Sequence, residues 1–140
     1  MKKLKKTIEE ALNEVYKHAT NLLKEGEKIL FYGYATQTGW KGPRRCFIAL
    51  TDMRVIIIWL ENKYDSIENA EDLPVVLIKR LLYSLGLSLF APYNQKPFRP
   101  RIYIENSDGK TFAFAFDDQA IARAIFKELD GRILRFHKGN

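Results

Sequence analysis

This sequence predicts an α+β domain in which about seven short strands build a small barrel between two amphipathic helices. Three observations carry that expectation. Apolar residues recur at helical spacing near both ends of the chain. Between them the period is that of short strands, punctuated by Gly, Pro, Asn and Asp. Residues 44–60 (RRCFIALTDMRVIIIWL) then read as two strands meeting at a Thr-Asp-Met-Arg corner, the second apolar on both faces.

The elements follow in order. Residues 7–24 form the first helix, with Ile8, Leu12, Val15, Ala19, Leu22 and Leu23 on one stripe. Thr7 and Glu10 have the spacing of a capping box, and Gly26 ends the helix. Residues 28–36 (KILFYGYAT) are rich in β-formers, and residues 38–43 (TGWKGP) make a loop. Strands over 45–50 and 54–60 form the central hairpin. Residues 62–72 are acidic and polar, a loop with one short strand near 64–67. Residues 74–79 begin another strand, and 81–90 fit strand or helix equally. Pro92, Pro97 and Pro100 interrupt regular structure.

Strands over 101–105 and 111–116 make a second hairpin around Asn106-Ser107-Asp108-Gly109, whose Asp-Gly pair suits a tight turn. Phe112, Phe114 and Phe116 alternate with Ala113 and Ala115, so one face is bulky and the other small. Asp117 is placed to cap the last helix, whose buried stripe is Ile121, Ala122, Ile125, Phe126 and Leu129, with Gly131 as its C′ residue. The expected organisation is an amino-terminal helix over 1–26, the barrel domain over 27–131 and a basic tail over 132–140.

Bulk composition narrows the function classes. A chain of 140 residues with 46% hydrophobic and 13% aromatic content is one ordinary domain and not a disordered chain. The net charge of +6 permits anionic partners without demanding them. The one cysteine, Cys46, excludes an internal disulfide and fits a reducing compartment. The lysines at 2, 3, 5 and 6 lead into an acidic amphipathic segment and not into a signal-peptide core. Lys79 and Arg80 interrupt the longest apolar stretch, 73–92, and each would cost ~3 kcal/mol at a bilayer centre. A cytoplasmic location is expected, with peripheral membrane contact as its variant.

From about 27 to 129 the chain resembles the bacterial pleckstrin-homology-like and GRAM-type domains. The residues that carry the resemblance are Gly26-Glu27-Lys28-Ile29-Leu30, then Ala49-Leu50-Thr51-Asp52-Met53-Arg54-Val55-Ile56. Leu73-Pro74-Val75-Val76-Leu77-Ile78 and the Phe-rich strand running into a helix complete them. The resemblance implies a strongly bent, seven-stranded antiparallel barrel plugged by the carboxy-terminal helix. The amino-terminal helix is an addition to that core, and the apolar 81–90 stretch departs from it. In phosphoinositide-binding members of the wider superfamily, the first inter-strand loop grips phosphates with basic residues. Trp40, Lys41, Arg44 and Arg45 occupy that loop here.

Arginine suits phosphate because its guanidinium donates paired hydrogen bonds, and a tryptophan suits a membrane interface. Adjacent strand residues point to opposite faces, however, so only one of Arg44 and Arg45 can act with Lys41. A solvated basic loop is therefore favoured over a lipid grip. Residues 73–104 carry Lys79, Arg80, Lys96, Arg99 and Arg101 and no acid, with Tyr93, Phe98 and Tyr103 among them. That pattern makes single-stranded nucleic acid a minor alternative through 79–101, although no nucleic-acid motif is present.

In 55–60, Val55, Ile57 and Trp59 oppose Ile56, Ile58 and Leu60 with no polar residue on either face. One face fills the barrel, and the other needs a cover, either the first helix or a second subunit. Because 81–90 raises the same need, a homo-oligomer is expected, with interface residues Val55, Ile57, Trp59, Leu85, Leu87 and Leu89. His18, His137 and Cys46 have no metal-ligand spacing, and no phosphate-binding loop, nucleophile elbow or acid–base pair is present. The expected function is a non-catalytic binding domain without cofactor or metal, acting on a protein partner or on itself. Anionic lipid headgroups at Trp40–Arg45 are the alternative.

Overall fold

The computed structural model describes residues 8–38, 42–61, 66–87 and 98–138, and the statements below concern these. Helix α1 (Ile8–Asn21) precedes strands β1 (Ile29–Gln37), β2 (Arg44–Thr51), β3 (Arg54–Leu60) and β4 (Ile67–Pro74). A 3-10 turn at Val75–Leu77 leads into β5 (Ile78–Leu87), β6 (Phe98–Asn106), β7 (Thr111–Phe116) and helix α2 (Gln119–Lys138). The strands form one antiparallel sheet in the order β4-β3-β2-β1-β7-β6-β5, curled into a half-barrel with α2 packed inside it. The α+β class and both helices are as expected.

The two faces of β3 account for both layers of the core. Val55, Ile57 and Trp59 point into the barrel, where they join Phe112, Phe114, Phe116 and the α2 residues Ala122, Ile125 and Leu129. Ile56, Ile58 and Leu60 point outward beside Phe47 and Ala49, and Val15 and Ala19 of α1 cover them. The interface expected at Val55, Ile57 and Trp59 is thereby corrected. Those side chains are interior, at most 2% exposed, and the cover that the outer face required comes from the chain itself.

Other boundaries move for identifiable reasons. The strand expected at 64–67 lies at β4, in a stretch whose acids disguise it. As an edge strand, β4 can hold polar residues, and three of its acids meet bases from neighbouring elements: Glu68 meets Arg44, Glu71 meets Lys110, and Asp72 meets Arg54. The ambiguous 81–90 region is strand as far as Leu87. Pro100 lies inside β6, opposite Leu85, and is tolerated because β6 pairs with β7 only from Arg101 onward. Helix α2 continues through Gly131 to Lys138, so that glycine is not its terminus and most of the expected tail is helical. Asp118 is the cap, its Oδ1 accepting the amides of Ala120 and Ile121. The 106–109 turn is as expected, with Gly109 at φ 86° and the Asn106 Oδ1 accepting the Asp108 and Lys110 amides.

Candidate functional site

Trp40 and Lys41 lie outside the described residues, but Arg44 and Arg45 are placed, and they diverge. Arg44 turns toward the barrel face, its guanidinium 4.1 Å above the Trp59 ring, with Asn69 Oδ1 at 3.2 Å and Glu68 at 3.5 Å. Arg45 turns outward and forms a two-pronged bond to Asp117, at 2.8 and 2.6 Å, while lying 5.0 Å from the Tyr34 ring centre. Strand alternation separates the pair, and each arginine already has acidic company. Below Arg44, Trp59 Nε1 donates to Glu71, whose other carboxylate oxygen accepts from Lys110 Nζ at 3.0 Å. Burial pushes the Glu71 carboxyl up, but these two donors outweigh it and hold it below its ordinary range.

The Thr-Asp-Met-Arg corner contains a cluster that was not singled out from sequence. Glu27, 6% exposed, accepts from Thr51 Oγ1 at 2.6 Å, from Arg54 Nε at 3.0 Å and from the Lys24 amide at 2.9 Å. Arg54 also donates to the Leu22 carbonyl at 2.7 Å and so ties the end of α1 to the hairpin. Burial alone would raise the Glu27 pKa. The Arg54, Thr51 and Lys24 bonds, with the Arg54 charge, bring it down to about 2. The signal in the sequence was the Gly-Glu-Lys before β1 together with Thr51 and Arg54, 24 and 27 residues on.

Cys46 is fully buried in β2, its thiol donating to the Ala35 carbonyl at 3.4 Å. Burial pushes its pKa up to about 12, against the opposing charges of Arg45 and Arg44. The thiol therefore has little thiolate character. Among the described residues, no three of His, Cys, Asp and Glu gather to hold a metal ion, and no helix is long and apolar enough to cross a membrane.

A different kind of site lies between β5 and α2. A cleft of about 340 Å³ is lined by Tyr83, Arg123, Ala124, Phe126 and Lys127. Its floor is the Tyr83–Phe126 contact, with ring centres 5.4 Å apart. Tyr83 comes from the ambiguous 81–90 stretch, and its hydroxyl is buried without a hydrogen-bond partner. Arg123 and Lys127 stand exposed on α2, one turn apart, and neither forms an ion pair among the described residues. Alongside runs β5, the last strand of the sheet, whose second edge has no partner among the described residues. Leu85 and Leu87, expected at an interface, belong to this strand, opposite Pro100 and Phe98. Leu89 lies outside the described residues. The sequence signal for the cleft was the pair of bases four apart on the polar flank of α2.

No family model matches this sequence, and no curated protein matches it. Solved structures do. A C-terminal domain of an unknown protein from Leishmania infantum is similar at TM-score 0.58 and 12% identity, covering 84% of this chain and 96% of that one. The hSac2 domain from human phosphoinositide phosphatase Sac2 is similar at TM-score 0.57 and 11% identity, covering 89% of this chain and 82% of that one. Identities this low carry the fold and nothing finer. With the curled seven-stranded sheet and its inserted helix, they show that the chain has a pleckstrin-homology-like fold.

Proposed function

We propose that the chain is a non-catalytic binding domain that works by engaging another protein along β5. The observation that carries this reading is the coincidence of a strand edge and an apolar cleft whose two cations, among the described residues, have no partners. Strand edges of this kind pair readily with an extended segment of another chain. Elsewhere the strongly perturbed groups serve the fold: Glu27 and Arg54 hold a corner, and Cys46 is sealed in a strand. The phosphate grip at residues 40–45 has less behind it, because Arg45 is clamped by Asp117 and Arg44 is committed beneath Glu68 and Asn69. Self-association loses one of its two grounds, since α1 covers the outer face of β3.

Selection from a displayed library of random ten-residue peptides, the length of β5, tests the reading. Binders are then mapped by amide shifts on isotope-labelled protein. The expected shifts gather at Leu82, Tyr83 and Ser84 and at Arg123 and Lys127. Binders that map instead to residues 40–45, or a selection that yields none, would show the reading to be wrong.

A further inference from the structure

Building on that protein-binding reading, we propose that the cleft takes an extended acidic segment of a partner protein, laid along β5 as an added strand. An added strand alternates its side chains between two faces, as β5 does. On the Tyr83 face they approach Arg123 and Lys127, two cations without an ion-pair partner among the described residues, spaced to stand on one flank of α2. On the opposite face they run beside Leu82, which is 55% exposed and directly cross-strand from the exposed Tyr103. The complementary segment therefore alternates acidic and apolar residues.

Charge also decides against a second copy as the occupant. Antiparallel pairing of two β5 edges would bring the Arg123 and Lys127 flanks beside the central Tyr83 of each copy toward each other, with no acid in β5 to offset them.

The test uses two fluorescein-labelled ten-residue peptides, one alternating Glu and Val and the other alternating Lys and Val, titrated into the whole chain. The Glu–Val peptide is expected to raise its anisotropy on binding, less so as salt is added, and the Lys–Val peptide is expected not to bind. Arg123→Glu with Lys127→Glu, both at exposed positions and checked for fold by circular dichroism, is expected to weaken the Glu–Val peptide at least tenfold and to admit the Lys–Val peptide. Slower amide exchange along β5 in the complex would support strand addition. Equal binding of both peptides, or Glu–Val binding unaffected by the double substitution, overturns the acidic assignment. Binding without slower β5 exchange overturns the added strand. If selected neutral or basic peptides map to the cleft while the Glu–Val peptide fails, the acidic assignment falls and the protein-binding reading stands. If nothing maps there, both fall.

Discussion

Glu27 carries its charge inside the protein, and the cost of burying it is met by Thr51 and Arg54 of the corner together with the Lys24 amide just beyond the end of α1. Its pKa of about 2 lies below the ordinary 4.5, so the unfolded chain takes up its proton first as pH falls. The associated stability is therefore complete above pH 4.5 and is lost as pH drops toward 2. The difference corresponds to about 3 kcal/mol at 1.36 kcal/mol per unit. Glu27→Gln is expected to lower stability near neutral pH by about that amount, since it leaves Arg54 without its main partner. It is also expected to flatten the acid limb of a plot of urea unfolding free energy against pH. A variant with the wild-type acid slope would place that slope elsewhere. Cys46 gives the complementary case, a thiol kept neutral because burial opposes its ionisation. Ellman's reagent at mildly alkaline pH is expected to leave it untouched in the folded protein and to react at once in denaturant. Rapid labelling of the native state would contradict the sealed position described here.

At the scale of elements, α1 and α2 lie on opposite faces of the same sheet, and each answers a specific feature of the strands. The outer face of β2 and β3 is apolar because α1 lies on it, so Val15→Asp is expected to destabilise by more than ~3 kcal/mol and to expose surface that binds a hydrophobic dye. Retained stability and no dye binding would mean that α1 is not a structural cover. On the inner side, α2 approaches β1 closely at Gly33, where an added Cβ would stand 3.0 Å from the Ile121 side chain. Gly33→Val is expected to cost about 1–3 kcal/mol in thermal or urea unfolding through this crowding. Much of this was legible from periodicity alone: both helices, the central hairpin and the 101–116 hairpin stand where alternation and turn residues put them. β4 was less legible because edge strands need no apolar alternation, and its acids are matched by bases distant in sequence. Parity showed that β3 had two apolar faces, but it could not say which lay inside. The choice is made by α1, which the pattern of β3 does not encode.

For the whole molecule, the weak line is the seam between β1 and β7. Only three register pairs join them, Ala35↔Phe116, Thr36↔Ala115 and Gln37↔Phe114, against eight between β1 and β2. The candidate cleft was hidden from sequence because its two sides, β5 and α2, are separated along the chain by β6 and β7 and meet only in the fold. Other contacts close the seam: the Arg45–Asp117 pair, the Thr38 amide to the Ala113 carbonyl at 2.9 Å, and the Asp117 amide to the Tyr34 carbonyl at 3.2 Å. The larger contribution comes from α2, whose Ala122, Ile125 and Leu129 lie in one core with residues of β2 and β3 on one side and β6 and β7 on the other. A shared plug makes the two halves of the sheet stand or fall together. Ile125→Ala is accordingly expected to cost about 2–5 kcal/mol. In a Trp40→Phe background, where fluorescence reports Trp59 in β3 alone, the urea transition by fluorescence is expected to coincide with that by far-ultraviolet circular dichroism. Ile125→Ala is expected to shift both midpoints downward together. If fluorescence and dichroism separated in the parent protein, the halves would be independently stable and α2 would not couple them. If they separated only after Ile125→Ala, the coupling would be assigned to that side chain.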